Sequence, residues 1–175
     1  MPKYELHTAW EQVAGFVVVL NAVDRQYLEL LRRESKPVVM VSCEVAGFTC
    51  PVVQPDNRTG AFAATCHLIE HGHRRIAFMG NFIQTDVRER YEAYREALLS
   101  HGIQPDGGLL FETADNLEEG GEEAGRQLLA AGMPSTAVLA ATDFNAIGVM
   151  NALRTAGLVL PRDQAIAGFD DVEAA

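Results

Sequence analysis

At 175 residues the chain is long enough for one ordinary domain or two small lobes. Hydrophobic residues make up 48% and charged residues 22%, which excludes a disordered chain. The 24 acidic and 14 basic side chains leave a net charge of −10, which argues against a grip on a phosphate backbone by these residues. No run of about 18 apolar residues occurs, so no membrane span is expected. The opening Met1–His7 lacks the basic-then-apolar-then-small order of an export signal. Cys43, Cys50 and Cys66 are an odd count; Cys43 and Cys50 are near enough in sequence to bridge, but reduced thiols in a cytoplasmic protein are the expectation.

In chain order, the apolar, β-branched run Gly15–Leu20 reads as a buried strand. Residues 24–34 place Tyr27, Leu28 and Leu31 on one helical face, and Lys36-Pro37 ends that helix. Strands follow at Pro37–Ser42 and Pro51–Gln54. Asp56-Asn57 opens a helix that runs to Gly72, with Phe62, Thr65, Cys66 and Ile69 spaced to face inward. The rest alternates: strand 75–80, helix 86–101, strand 109–113, helix 118–131, strand 136–141, helix 143–156, strand 165–169. Gly102, Gly132 and Gly157 fall just past helical patterns, where a left-handed residue is favoured. Alternating β and α units with short connections imply an α/β fold with parallel sheets flanked by helices. The expected division is a partial N-terminal lobe at 1–54 and a C-terminal lobe at 55–175. Two strong strands and one long helix before residue 54 are too few to cover both faces of a parallel sheet. The first lobe therefore reads as incomplete, and the chain as a piece of a longer protein.

Three polar turns follow strands: Gly80-Asn81 into Asp86–Arg90, Ala141–Asp143, and Gly168–Asp171. Open parallel sheets bind ligands outside the carboxyl ends of their strands. Asp86 reads as an N-cap with Glu89 completing a capping box, which puts Arg88 and Arg90 in the first helical turn. A guanidinium there offers a rigid fork of donors to ligand oxygens. Arg90, beside the inward-facing Tyr91 and Tyr94, is read as the ligand contact, and Arg88 as screened by Glu89 and Glu92. Replacing Arg90 by Ala is expected to abolish ligand binding and leave the fold intact. Thr142 or Asp143 caps the helix at 143, a role compatible with facing ligand. Asp170 reads as an acceptor for sugar hydroxyls or the N–H groups of a base, Asp171 less so because neighbours point apart. Asp56-Asn57 is a helix cap or a hinge.

His67 and His71 stand four apart, with Cys66 and His73 near, a spacing able to hold a metal, but no second ligand set accompanies them and no metal is expected. There is no G-x-S-x-G, H-E-x-x-H, P-loop or G-x-G-x-x-G, so neither a cofactor nor an enzyme activity is expected. Gly107-Gly108 and Gly120-Gly121 read as turn and helix-start glycines.

Together these residues resemble the effector-binding core of the lactose-repressor/galactose-repressor family, which shares its fold with type I periplasmic sugar-binding proteins. The matching run is Asp56-Asn57-x-x-Gly60-Ala61, then His67-Leu68-Ile69 and Gly72–Ala77. It continues through Arg90-x-x-x-Tyr94–Leu98, Asp143-x-x-Ala146-Ile147-Gly148, Gly157-Leu158-x-x-Pro161 and Ile166–Asp171. The resemblance covers nearly the whole chain. It implies a two-lobed type I periplasmic-binding-protein-like fold with a ligand cleft and a hinge near Pro55, Asp56 and Asn57. It implies effector contacts from Arg90, Thr142, Asp143 and Asp170. Asn116 stands where many members place an aromatic that stacks on the ligand, and Ala93 where they carry glycine.

The expected function is therefore a small-molecule sensor of a lactose-repressor-type transcriptional regulator, a homodimer at full length. Its effector would be a sugar, a sugar derivative or a nucleoside or purine. Operator DNA would be read by an N-terminal helix-turn-helix that these 175 residues do not contain. Two other outputs fit the same residues: a sensor ahead of an enzymatic signalling domain, and a transporter's solute-binding protein.

Overall fold

The computed structural model describes residues 12–19 and 22–173; Met1–His7, Leu20 and Ala175 lie outside the described residues. The chain divides into two compact units, Met1–Pro55 and Asp56–Ala175.

In the first unit, β1 (Phe16–Val19), β2 (Val38–Val41) and β3 (Val52–Val53) form a parallel sheet in the order β1-β2-β3, with α1 (Arg25–Arg33) against it. Asp24 caps α1 by accepting the Tyr27 N–H at 2.9 Å, and Arg32 and Arg33 meet the negative end of its dipole. Leu28 and Leu31, fully buried, pack on Val18, Val38 and Met40. The register sets Val17 beside Val39, and Val19 beside Val41, which is itself beside Val53, on the opposite face. There Val17 is 69% exposed, Val19 50% and Val53 59%. This corrects the expectation of a buried first strand. An apolar β-branched run covers both faces of a strand, and among the described residues only one face has a helix against it.

The second unit comprises α2 (Asn57–Glu70), β4 (Ile76–Gly80), α3 (Thr85–Ser100), β5 (Leu110–Glu112), α4 (Glu118–Ala130), β6 (Ala137–Ala140), α5 (Asp143–Thr155) and β7 (Ala165–Ala167). The strands are parallel in the order β5-β4-β6-β7. β4 is buried throughout, and its side chains alternate between two cores. Ile76 and Phe78 pack with Leu68, Ile69, Val87, Tyr94 and Leu98 of α2 and α3. Ala77 and Met79 pack with Ala124, Leu128, Val149 and Leu153 of α4 and α5. The inward face of α2 is Ala61, Thr65, Leu68 and Ile69, with Phe62 and Cys66 only half-buried, a rotation from the expected stripe. Tyr94 donates its hydroxyl to the Ile76 carbonyl at 2.7 Å, and burial pushes its pKa far up.

Gly102, Gly132 and Gly157 have positive φ past the ends of α3, α4 and α5, as their spacing predicts. Gly120 and Gly121 lie in the first turn of α4, as helix-start glycines should. Gly121 and Gly148 let α4 and α5 touch: a Cβ on Gly121 would strike the backbone of Asn145, and one on Gly148 the Glu118 carbonyl.

From β4 the chain passes through α3 to β5 on one side. It then returns through α4 to β6 on the other side of β4. The carboxyl ends of β4 and β6 are therefore neighbours whose chains diverge, the point where open α/β sheets bind ligands.

Candidate functional site

Arg90 lies at this switch point and is only 3% exposed. Helix α3 begins at Thr85, after the extended backbone of Gln84, so Asp86 sits inside the first turn and is not the cap. One Asp86 oxygen accepts the Val87 N–H; the other lies 3.5 Å from Arg90 Nη2. One turn on from Asp86, Arg90 points back under the carboxyl end of the sheet. Its Nε donates to Asn57 Oδ1 at 3.0 Å, and Nη1 donates to the Ala141 carbonyl. Nη1 also lies 3.3 Å from Asp170 Oδ1, and the Phe169 ring covers the guanidinium at 3.8 Å. Asn57 in turn donates to Glu89 Oε2 at 2.8 Å. Asp56 caps α2 through the Thr59 N–H at 3.0 Å, which holds its carboxyl below the usual range. Arg88 is exposed and donates to the Ile83 carbonyl at 3.2 Å.

Thr142, not Asp143, caps α5: its Oγ1 accepts the Asn145 N–H at 3.1 Å. Buried Asp143 is the first helical residue and staples the turn after β7. Its N–H donates to the Phe169 carbonyl at 2.8 Å, and its Oδ2 accepts the Val172 N–H at 2.9 Å. Gly168 is required there, because a Cβ would overlap the Asp143 carboxylate. The stapled turn carries Asp170 at φ +123° and Asp171 at φ +59°, conformations that L side chains seldom adopt. Burial lifts the Asp170 carboxyl above its ordinary value against the pull of Arg90, and Asp143 and Asp86 add repulsion. The ion pair is real in geometry, yet one guanidinium among these acids does not offset withdrawal from water.

Asn116 is held from two sides. Its Oδ1 accepts the Asn81 N–H at 2.9 Å, and its Nδ2 donates to Gln84 Oε1 at 3.2 Å. The surrounding loop is braced carbonyl by carbonyl. Asn81 Nδ2 donates to Thr113 and Ala114, Asn145 Nδ2 to Asp115 and Leu117, and Thr142 Oγ1 to Asn116. Asn81 was read only as part of the polar turn after a strand, and Asn145 went unnoticed; an asparagine in the first turn of a helix was the available signal. Asn145 Oδ1 is buried and accepts no hydrogen bond.

Ile83, Leu117 and Phe144 were also missed; all are exposed, Ile83 by 81%, on the loops and helix starts that follow β4, β5 and β6. They add apolar surface to a polar edge formed by Gln84, Asp86, Asn116 and Asp170. A few fixed polar groups beside apolar side chains are the makeup of a small-molecule site. Acceptors exceed donors, which suits hydroxyl-rich ligands. The His67 and His71 rings meet tilted at 47° with centroids 4.3 Å apart, and among the described residues no three His, Cys, Asp or Glu side chains gather as a metal site. Cys43, Cys50 and Cys66 are free thiols, and burial raises the pKa of Cys43 and Cys66.

Residues 65–175 match the periplasmic binding protein-like domain family. The chain belongs to that family. Its relatives are regulators of the lactose-repressor type. The HTH-type transcriptional regulator GalR of Escherichia coli is 34% identical over 161 residues, 91% of this chain and 46% of that protein. The ribose operon repressor of Escherichia coli is 34% identical over 169 residues, 94% of this chain and 50% of that protein. A LacI family transcriptional regulator from Enterococcus faecium, solved with bound ribose, superposes with a TM-score of 0.80 at 27% identity, over 93% of this chain and 60% of that one. The chain spans about half the length of the curated relatives it matches. Among the described residues no helix is long and apolar enough to cross a membrane.

Proposed function

We propose that this chain is the effector-sensing core of a lactose-repressor-type transcriptional regulator. It takes a small polar, hydroxyl-rich effector at the carboxyl edge of the second sheet. The carrying observation is the convergence of Arg90, Asp170, Asp86 and Asn116 at the switch point between β4 and β6, beside exposed Ile83, Leu117 and Phe144. Every Arg90 donor nitrogen already faces an acceptor, so an effector oxygen reaches it by displacing the Asp170 carboxylate, its most exposed partner. Asp170 then turns to the effector's hydroxyls. Thr142 and Asp143 act from below, fixing the loops that carry Asn116 and Asp170.

The chain passes from the first unit to the second at Pro55-Asp56; in this reading Pro55, Asp56 and Asn57 are the hinge, and effector binding biases two geometries by unequal affinity. In the full-length cytoplasmic homodimer that bias sets operator affinity through a helix-turn-helix, and no reaction is catalysed. Isothermal calorimetry against D-ribose, D-galactose, cellobiose and adenosine tests the reading. Heat with at least one of them, lost in Asp170→Ala, is expected. No heat from any of them with the full-length protein, together with operator binding insensitive to all four, overturns it.

A further inference from the structure

Phe169 was not assigned a role by its position in the sequence, and the effector site described above does not use it directly. Its ring is nonetheless fixed at three points. The backbone is anchored where its carbonyl accepts the Asp143 N–H at 2.8 Å. The ring edge, Cε2 and Cζ, lies over Gly60 of α2, where any Cβ would come within 2.6 Å. The ring itself lies 3.8 Å from the Arg90 guanidinium carbon. A cation held over an aromatic ring is attracted by the ring's quadrupole, most strongly where water is excluded, and Arg90 is nearly inaccessible.

We infer that Phe169, seated on Gly60, is a positioning residue that sets the plane of the Arg90 guanidinium. Asn57 and the Ala141 carbonyl hold Nε and Nη1 from within the fold. Those two bonds fix one edge of the fork but leave the group free to tilt about it. The ring removes that freedom and aims the remaining donors at Asp86 and Asp170, the partly exposed carboxylates. Gly60 is needed because a larger residue would push the ring into the guanidinium. The consequence for affinity rests on the effector reading above; the orientation of Arg90 does not.

The test uses the 175-residue chain with Phe169→Leu, Phe169→Tyr and Gly60→Ala, each checked for a cooperative thermal melt. Nitrogen-15 spectra report the Arg90 Nε–H directly. In the parent chain this resonance is shifted upfield by the ring current and exchanges slowly. Phe169→Leu and Gly60→Ala return it toward the position of a free arginine, and Phe169→Tyr keeps it. Should the leucine variant fail to fold, Phe169→Met keeps more of the volume without the ring. Calorimetry with D-ribose on the full-length protein then shows roughly tenfold weaker binding for leucine and near-parent binding for tyrosine. An Arg90 resonance unchanged without the ring overturns the inference. A resonance that moves as expected in a protein that binds none of the tested effectors instead sinks the effector reading and leaves the positioning role standing.

Discussion

At the scale of single residues, the edge of the second sheet crowds Asp86, Glu89, Asp143 and Asp170 around the cation Arg90. Arg90's place at the carboxyl edge of the sheet was legible from its position at a helix start; its burial was not. The buried state follows from partners distant in sequence, Asn57, Ala141, Phe169 and Asp170, which no local pattern reveals. The expectation that Arg90→Ala would leave the fold intact therefore changes. Removing the cation strands carboxylates and a carbonyl, and the substitution is expected to cost about 3 kcal/mol in urea unfolding, besides abolishing effector binding. Asp170 carries a pH signature. Its folded pKa is raised, so the stabilisation from protonating it is fully present below the ordinary aspartate value and is lost as pH rises through the folded value. The stability of Asp170→Asn relative to the parent should thus increase as pH rises through that window and shrink in acid. Urea melts across that range check it, and a difference that stays flat with pH removes the assignment.

At the scale of elements, periodicity placed every strand and helix of the second unit within a few residues, because buried β4 and β6 and the helix-ending glycines have strong local signatures. What it misplaced were contacts between elements. Gly120 and Gly121 read only as helix-start glycines, because the helix that packs against them is distant in sequence. In the fold, Gly121 and Gly148 are the surface on which α4 and α5 meet. Gly148→Ala should then destabilise by about 1–3 kcal/mol, since the added methyl meets backbone that cannot rotate away. The same change at Gly107, which has open space around it, should be close to neutral. The asparagine braces make a second case. Asn145→Ala removes the donors to the Asp115 and Leu117 carbonyls and should cost about 1–3 kcal/mol. It should also loosen the Asn116 loop, seen as faster amide exchange at residues 114–117. Unchanged exchange there would mean that Asn81 and Thr142 suffice to hold the loop.

At the scale of the whole chain, the two units differ in how well their sheets are covered. Both faces of the second sheet carry a helix pair, and its core is continuous from β5 to β7. The first sheet, among the described residues, has α1 on one face and Val17, Val19 and Val53 exposed on the other. All-parallel sheets ordinarily have both faces covered, and a contiguous apolar face left in water drives association. The sequence hinted at this imbalance through the small number of elements before residue 54, whereas which face lay open required the register. On its own, the 175-residue chain is expected to self-associate through this face as concentration rises, despite its net charge of −10. Val17→Lys with Val53→Lys places two cations on that face, opposite α1. Sedimentation velocity should show the variant monomeric at concentrations where the parent forms larger species. Hydrogen exchange should show β4 and β6 equally protected in both, and β1 exchanging faster than either. If the variant associates as strongly as its parent, the open valine face is not the contact, and the exposed Ile83, Leu117 and Phe144 edge becomes the next surface to charge.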